Sequence, residues 1–164
     1  MPNRLPPIDQ IELTRTRYTA LGYTPYSWVH NTTAPPFVPL RKPVSECRLT
    51  LIASGGVYIA GQVAFHHRDD ISLRIVDTDT QTSALRTSHF AYDQSDARAD
   101  PNVVFPKDTL KRLVHAGVLG ELAQRAYTFM GGIYSARKVR ELLAPALIQR
   151  LRQDKTDLVL LVPV

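Results

Sequence analysis

A single cysteine, Cys47, stands among the 164 residues. One thiol closes no internal disulfide and excludes a zinc site built from several cysteines, so the fold must hold by packing, as suits a reducing compartment. Long apolar runs are also missing: no stretch approaches the ~18 residues that a membrane-crossing helix needs. The opening MPNRLPPIDQ lacks the apolar segment of a signal peptide. These absences predict a soluble, cytoplasmic protein with no membrane partner. Neither glycine pair is followed by a third glycine at dinucleotide spacing, which argues against a nucleotide fingerprint. The net charge of +5 would favour acidic partners, but lysines and arginines are dispersed rather than clustered. No nucleic-acid partner is therefore expected.

What is present describes a globular chain, with 44% hydrophobic and 21% charged residues. Length and composition predict one α/β domain over 1–164, with 1–43 as an extended arm rich in proline and aromatics. Within the arm, Asp9 to Leu21 reads as a short helix capped by Asp9 and stopped by Gly22. Five prolines between Tyr23 and Pro43 then enforce extended backbone, with Trp28 and Phe37 as expected anchors on the domain.

Two runs read as strands buried on both faces, RLTLIAS (Arg48 to Ser54) and LVLLV (Leu158 to Val162), because they are continuously apolar rather than alternating. Both are expected at the centre of a mostly parallel sheet with flanking helices. The domain is expected to be incomplete at its C-terminus, since no helix returns after Val164. Ile71 to Val76 alternates like an edge strand. Pro106 to Ala116 has helix punctuation, with Asp108 in the first turn and Gly117 beyond the end. A helical turn is read over Leu119 to Arg125, and a short strand in YTFMGGIY. Ser135 caps a last helix running to Arg152, in which Pro145 predicts a kink.

In an open α/β sheet, ligands bind beyond the carboxyl ends of the strands. This places a substrate crevice at Ser54, Gly55 and Gly56 and at the loop carrying His89, Tyr92 and Asp93, where glycine amides and an imidazole could orient a carboxylate. His66, His67 and His89 offer a weaker metal-binding reading, and no metal is assigned. Cys47 precedes the first strand and is read as a small buried side chain.

Taken in order, FVPLRKPVSECRLTLIASGGV, LRTSHFAYD, DPNVVFPKDTLKRLV, YTFMGGI and the helix leading to DLVLLVPV resemble the selenoprotein B family of glycine, sarcosine, betaine and D-proline reductases, in its shorter D-proline-reductase-like branch. The resemblance spans about Tyr18 to Val164. It implies an oxidoreductase subunit that reductively cleaves a carbon–nitrogen bond of an amino acid or betaine. Its substrate would be a small carboxylate or amine, activated by a pyruvoyl group on a partner subunit. It also implies a selenocysteine or cysteine directly after the strand ending at Val164. No catalytic residue is then expected within the chain, which would be an amino-terminal fragment ended where a UGA codon was read as a stop, inactive alone. The expected partners are other reductase subunits, with homo-oligomerisation left open. The alternative reading is a catalytically silent domain that binds a ligand or partner through the same crevice.

Overall fold

The computed structural model describes residues 9–25 and 30–164. The chain divides into two compact units, Met1–Val38 and Pro39–Val164. In the first, helix α1 (Gln10–Ala20) begins where the Asp9 carboxylate accepts the Glu12 amide at 3.0 Å, and Gly22 follows its end with φ +77. The expected cap and stop are thus in place. Trp28 lies outside the described residues. Phe37, the other expected anchor, belongs to this first unit.

The second unit is built on β1 (Arg48–Ala53), whose apolar run is buried throughout. It pairs in parallel with β5 (Glu121–Leu122) and β6 (Arg125–Thr128) on one side and with β7 (Leu158–Val162) on the other. Strand β3 (Arg74–Asp77) runs antiparallel outside β6, so the sheet is mostly parallel, as expected. Between the pairings of Leu49 with Leu122 and Ile52 with Tyr127, β1 advances three residues and its partner five. Ala123 and Gln124 are the two extra residues. The carbonyls they release are taken by the buried Thr78 hydroxyl, at 3.1 Å from each.

Alternation along β1 divides the core. Leu49, Leu51 and Ala53 face a cluster with Val76, Phe105, Leu110 and Leu119. Ile52 faces Tyr127, Leu143 and Leu147 on the other side. Helix α3 (Lys107–His115) serves the first face, while α4 (Ala136–Lys138), a π-helical turn (Val139–Leu143) and α5 (Ala144–Gln153) serve the second. Leu143, Leu147 and Leu151 recur every four residues and so share one stripe. The disturbance expected at Pro145 takes the form of that π turn, which ends just before α5 opens with proline in its first turn.

Two expectations are corrected. Strand β7 is an edge strand among the described residues rather than a central one, and Leu161 is 65% exposed on it. Continuous apolarity marks both faces as apolar, but it does not say how many neighbours a strand has. The segment read as a helical turn from Leu119 to Arg125 instead forms β5, because its backbone pairs with β1 and tertiary pairing overrides weak local preference. A second sheet, antiparallel β2 (Val57–Ile59) with β4 (Leu85–Thr87), had no clear signal in the sequence.

At the amino ends of the strands, polar groups bind the segments together. The Asp157 carboxylate accepts the Arg48 amide at 2.9 Å and pairs with Lys42 at 2.7 Å. Asp154 accepts from Arg125 and from the Tyr127 hydroxyl. The opposite, carboxyl ends of the strands carry the glycine turn and the loop expected to form the site.

Candidate functional site

Ser54 gathers the strand ends. Its amide donates to the Val162 carbonyl at 3.0 Å, its hydroxyl accepts the Val164 amide at 3.0 Å, and its carbonyl accepts the Gly131 amide at 2.8 Å. Gly55 has no room for a larger residue without movement, since an added Cβ would stand 3.1 Å from the Val104 Cβ and 3.2 Å from the Val164 Cγ2. At Gly56 the constraint is absolute: φ is +67 and an added Cβ would lie 2.0 Å from the Ser88 carbonyl oxygen. Its own amide donates to Phe129 at 3.1 Å, so that amide is already spent and does not face a ligand.

The second half of the site comes from the segment after β4. Ser88 donates its amide to the Gly56 carbonyl at 2.9 Å, and the Tyr92 hydroxyl donates to the Gly55 carbonyl at 2.9 Å. Burial pushes the Tyr92 phenol up. His89 is buried, at 4% exposure, with its ring 4.8 Å from that of Tyr92. Its Nδ1 accepts the Ala91 amide at 3.0 Å, which places the proton of a neutral ring on Nε2. That Nε2 is buried without a hydrogen-bond partner. Burial first, and then the neighbouring His67, hold the imidazole below its ordinary pKa and therefore neutral. The site thus presents one oriented, unsatisfied donor.

Strand ends and loop therefore bring Ser54, Gly55, Gly56, His89, Tyr92 and Val164 to the same end of the sheet. Asp93 is spent elsewhere. Its carboxylate accepts the Ser95 amide and hydroxyl at 2.9 and 2.7 Å, opening helix α2 (Ser95–Ala99), and Ser95 holds it below the usual carboxylate range. His66 turns its Nδ1 to the Arg68 amide, and among the described residues no group of three or more histidine, cysteine, aspartate or glutamate side chains could hold a metal ion.

Sequence reasoning missed an aromatic rim beside His89. The Phe90 ring stacks on that of Tyr134 at 6.4 Å and lies 6.2 Å from His67. A Cβ at Gly132 would fall 2.2 Å from the Phe90 ring, so the glycine pair in YTFMGGIY admits this ring. That pair was the available signal. Thr87 Oγ1 and Gln94 Oε1 are also buried without partners, and nothing in the sequence marked them.

Residues 24–164 match the family described as glycine/sarcosine/betaine reductase selenoprotein B. The chain is 29% identical over 134 residues to D-proline reductase subunit gamma of Acetoanaerobium sticklandii, covering 82% of this chain and 55% of that protein. It is 29% identical over 132 residues to glycine reductase complex component B subunit gamma of Symbiobacterium thermophilum, covering 77% of this chain and 30% of that protein. The chain spans about half or less of the length of these relatives, and no solved structure matches it. With residues 24–164 matched, the chain belongs to the glycine/sarcosine/betaine reductase selenoprotein B family.

Proposed function

We propose that the chain supplies the strand-end crevice of a reductase component that cleaves a carbon–nitrogen bond of an amino acid or betaine. Family membership over residues 24–164 carries this reading, together with relatives named as a D-proline reductase subunit and a glycine reductase complex component. Other reductase subunits are its partners, among them one that bears a pyruvoyl group and activates the substrate. In the overall reaction the carbon–nitrogen bond opens and two electrons and two protons place one hydrogen on carbon and one on nitrogen, so that glycine, sarcosine or betaine would release its nitrogen as ammonia or an amine, whereas D-proline would open to a linear amino acid that keeps it. A selenolate or thiolate is suited to supply the electrons because it is the reactive ionised form.

Cys47 does not fit that role. It is fully buried at the amino end of β1, away from the crevice, with its Sγ 3.6 Å from the Lys42 carbonyl. The redox residue, a selenocysteine or cysteine, is instead proposed to follow Val164. The Val164 amide on Ser54 and its side chain beside Gly55 support this position, since a following residue would emerge at the crevice. The chain's own part is to bind and orient, with the His89 Nε2 hydrogen donated to a substrate carboxylate. The absence of a thiol at the crevice within these residues also favours a second reading, a catalytically silent binding domain.

Reading the gene past the Val164 codon separates the two. An in-frame UGA followed by a continuing frame, and amine release from glycine, sarcosine or betaine or reductive ring opening of D-proline by the longer product with its pyruvoyl-bearing partner, is the expected result. A UAA or UAG with no continuing frame, or neither amine release from glycine, sarcosine and betaine nor ring opening of D-proline, overturns the reductase reading.

A further inference from the structure

Residues 88–94, between β4 and α2, form no regular secondary structure, so their course is set by individual hydrogen bonds. The Ser88 amide holds one end on the Gly56 carbonyl, and the Asp93 carboxylate holds the other on Ser95. Three more bonds involve side chains: the Tyr92 hydroxyl donates to the Gly55 carbonyl, the Gln94 side-chain amide to the His89 carbonyl, and the Ala91 amide to His89 Nδ1. Only the last of these is lost when a proton is gained between about pH 5 and 8. Nδ1 must be bare to accept, and once protonated it is a donor facing the Ala91 N–H across 3.0 Å. The attraction becomes a repulsion.

Nothing around the ring would hold an imidazolium in its place. His89 is buried and its Nε2 has no acceptor among the described residues. The titratable or charged groups that face it are His67 on the loop before β3, Tyr92 on its own segment, Arg98 on α2 beyond Tyr92, and Tyr134 beyond Phe90. None is a carboxylate. The glycine turn after β1 and residues 129–133 contribute no titratable side chain. Asp69 spends its carboxylate on the Tyr134 and Ser135 amides at 2.7 and 3.2 Å, and Asp70 spends its own on His66 and Ser72. An unpaired buried charge is costly, so a protonated ring has to reach water. Phe90 stacks on that ring at 5.7 Å and on Tyr134 at 6.4 Å while being 42% exposed, so it is the layer that moves with it.

We propose that residues 88–94 are an acid-released strap: a proton taken up on His89 Nδ1 breaks the Ala91 bond and frees the imidazole and Phe90, while the sheet behind them stays folded. Burial and the neighbouring His67 favour the neutral ring, so the strap is closed at neutral pH and opens on the acid side. Opening also hydrates two orphaned atoms, His89 Nε2 and Gln94 Oε1, which lowers its cost. The strap is defined by the hydrogen bonds of this segment and does not depend on the reductase reading.

Amide hydrogen exchange of the 164-residue chain tests it, followed by NMR between about pH 5 and 8 and divided by the rate of an unstructured amide at each pH. Protection of the Ala91 amide should fall by up to about tenfold per pH unit below about 6.5, the slope for uptake of one proton. It should also stay at least about tenfold below that of Ile52 in β1, because the strap opens without the sheet. His89→Gln keeps an acceptor for Ala91 but takes up no proton, so the fall should vanish. His67→Gln removes the neighbour that opposes protonation and should move the fall to higher pH. Ala91 protection that is constant across this range overturns the proposal, as does a fall that persists in His89→Gln. Protection equal to that of Ile52 also overturns it, since the bond would then open only when the whole unit unfolds. Should His89→Gln fail to fold, the unmutated chain decides: a His89 imidazole that titrates in its carbon resonances while Ala91 stays protected refutes the strap.

Discussion

Replacing Asp108 with asparagine isolates the one buried cation in the described core. Lys107 is 3% exposed at the amino end of α3, where the helix dipole disfavours a positive charge. The Asp108 carboxylate offsets it, accepting from Lys107 Nζ at 2.6 Å, Thr82 Oγ1 at 2.6 Å and Asn102 Nδ2 at 2.9 Å. Burial works to raise this carboxyl, but the three donors hold it well below the usual carboxylate range. Asparagine keeps the shape and removes the charge, which leaves the ammonium buried and uncompensated. Breaking a fully buried pair costs about 3–5 kcal/mol. A third of the Asp108 side chain is exposed, so about 2–3 kcal/mol is expected, or about 5–10 °C in Tm for a chain of this size. Urea unfolding followed by circular dichroism measures it, in a cycle with Lys107→Met and the double variant. Lys107→Met alone should cost less than about 1 kcal/mol, since Asp108 keeps two donors and reaches solvent. The double variant should be more stable than Asp108→Asn, because no buried charge remains. A single-variant loss below about 0.5 kcal/mol, or a double loss equal to the sum of the singles, would refute the reasoning.

Gly56→Ala should destabilise by about 3 kcal/mol or more, because both its positive φ and the Ser88 carbonyl oppose a Cβ, whereas Gly61→Ala, at φ +96 in open space, should cost about 1 kcal/mol; equal losses in urea unfolding would contradict the crowding at Gly56. The neutral state of buried His89 lowers its folded pKa, so the unfolded chain takes up the proton first and stability should fall as pH drops below about 6.5; His89→Gln should flatten that slope in melts across pH 5–8. Burial and the Asp154 carboxylate push the Tyr127 phenol up to about 12. The unfolded chain then ionises first, so stability should decline from about pH 10 upward, and Tyr127→Phe should make that decline shallower in alkaline melts, leaving the share due to Tyr92.

Much of this architecture could be read from residue order. The unbroken apolar runs at Leu49–Ala53 and Leu158–Val162 marked both strands, and capping chemistry marked α1 and the helix opened by Ser135, whose side chain accepts the Lys138 amide. Short elements were hidden because pairing rather than propensity creates them: β5 has two residues and β2 and β4 three each. At the candidate site, Ser54, Gly55 and Gly56 were visible as a turn after a strand, and His89 and Tyr92 as candidate side chains in a loop. The orientation of Asp93 toward Ser95 was not visible, because HFAYD gives no sign of which neighbour an aspartate will choose. Thr87 and Gln94 were missed for a similar reason: an orphaned polar atom is defined by what surrounds it, and sequence does not list surroundings.

The two extra residues beside β1 set which length changes the chain can absorb. Side chains alternate with a period of two, so an even insertion returns Tyr127 and Ala126 to the faces that an uninterrupted strand would give them. Deleting Gln124 alone would change that parity, turning Tyr127 away from Leu143 and Leu147 and carrying its hydroxyl away from Asp154. Deleting Ala123 and Gln124 together would restore parity at the cost of the carbonyls that Thr78 caps, the Ala123 amide's bond to the Leu49 carbonyl and the Gln124 side chain's bond to Asp77. Along this strand, the loss of two residues should therefore be tolerated better than the loss of one.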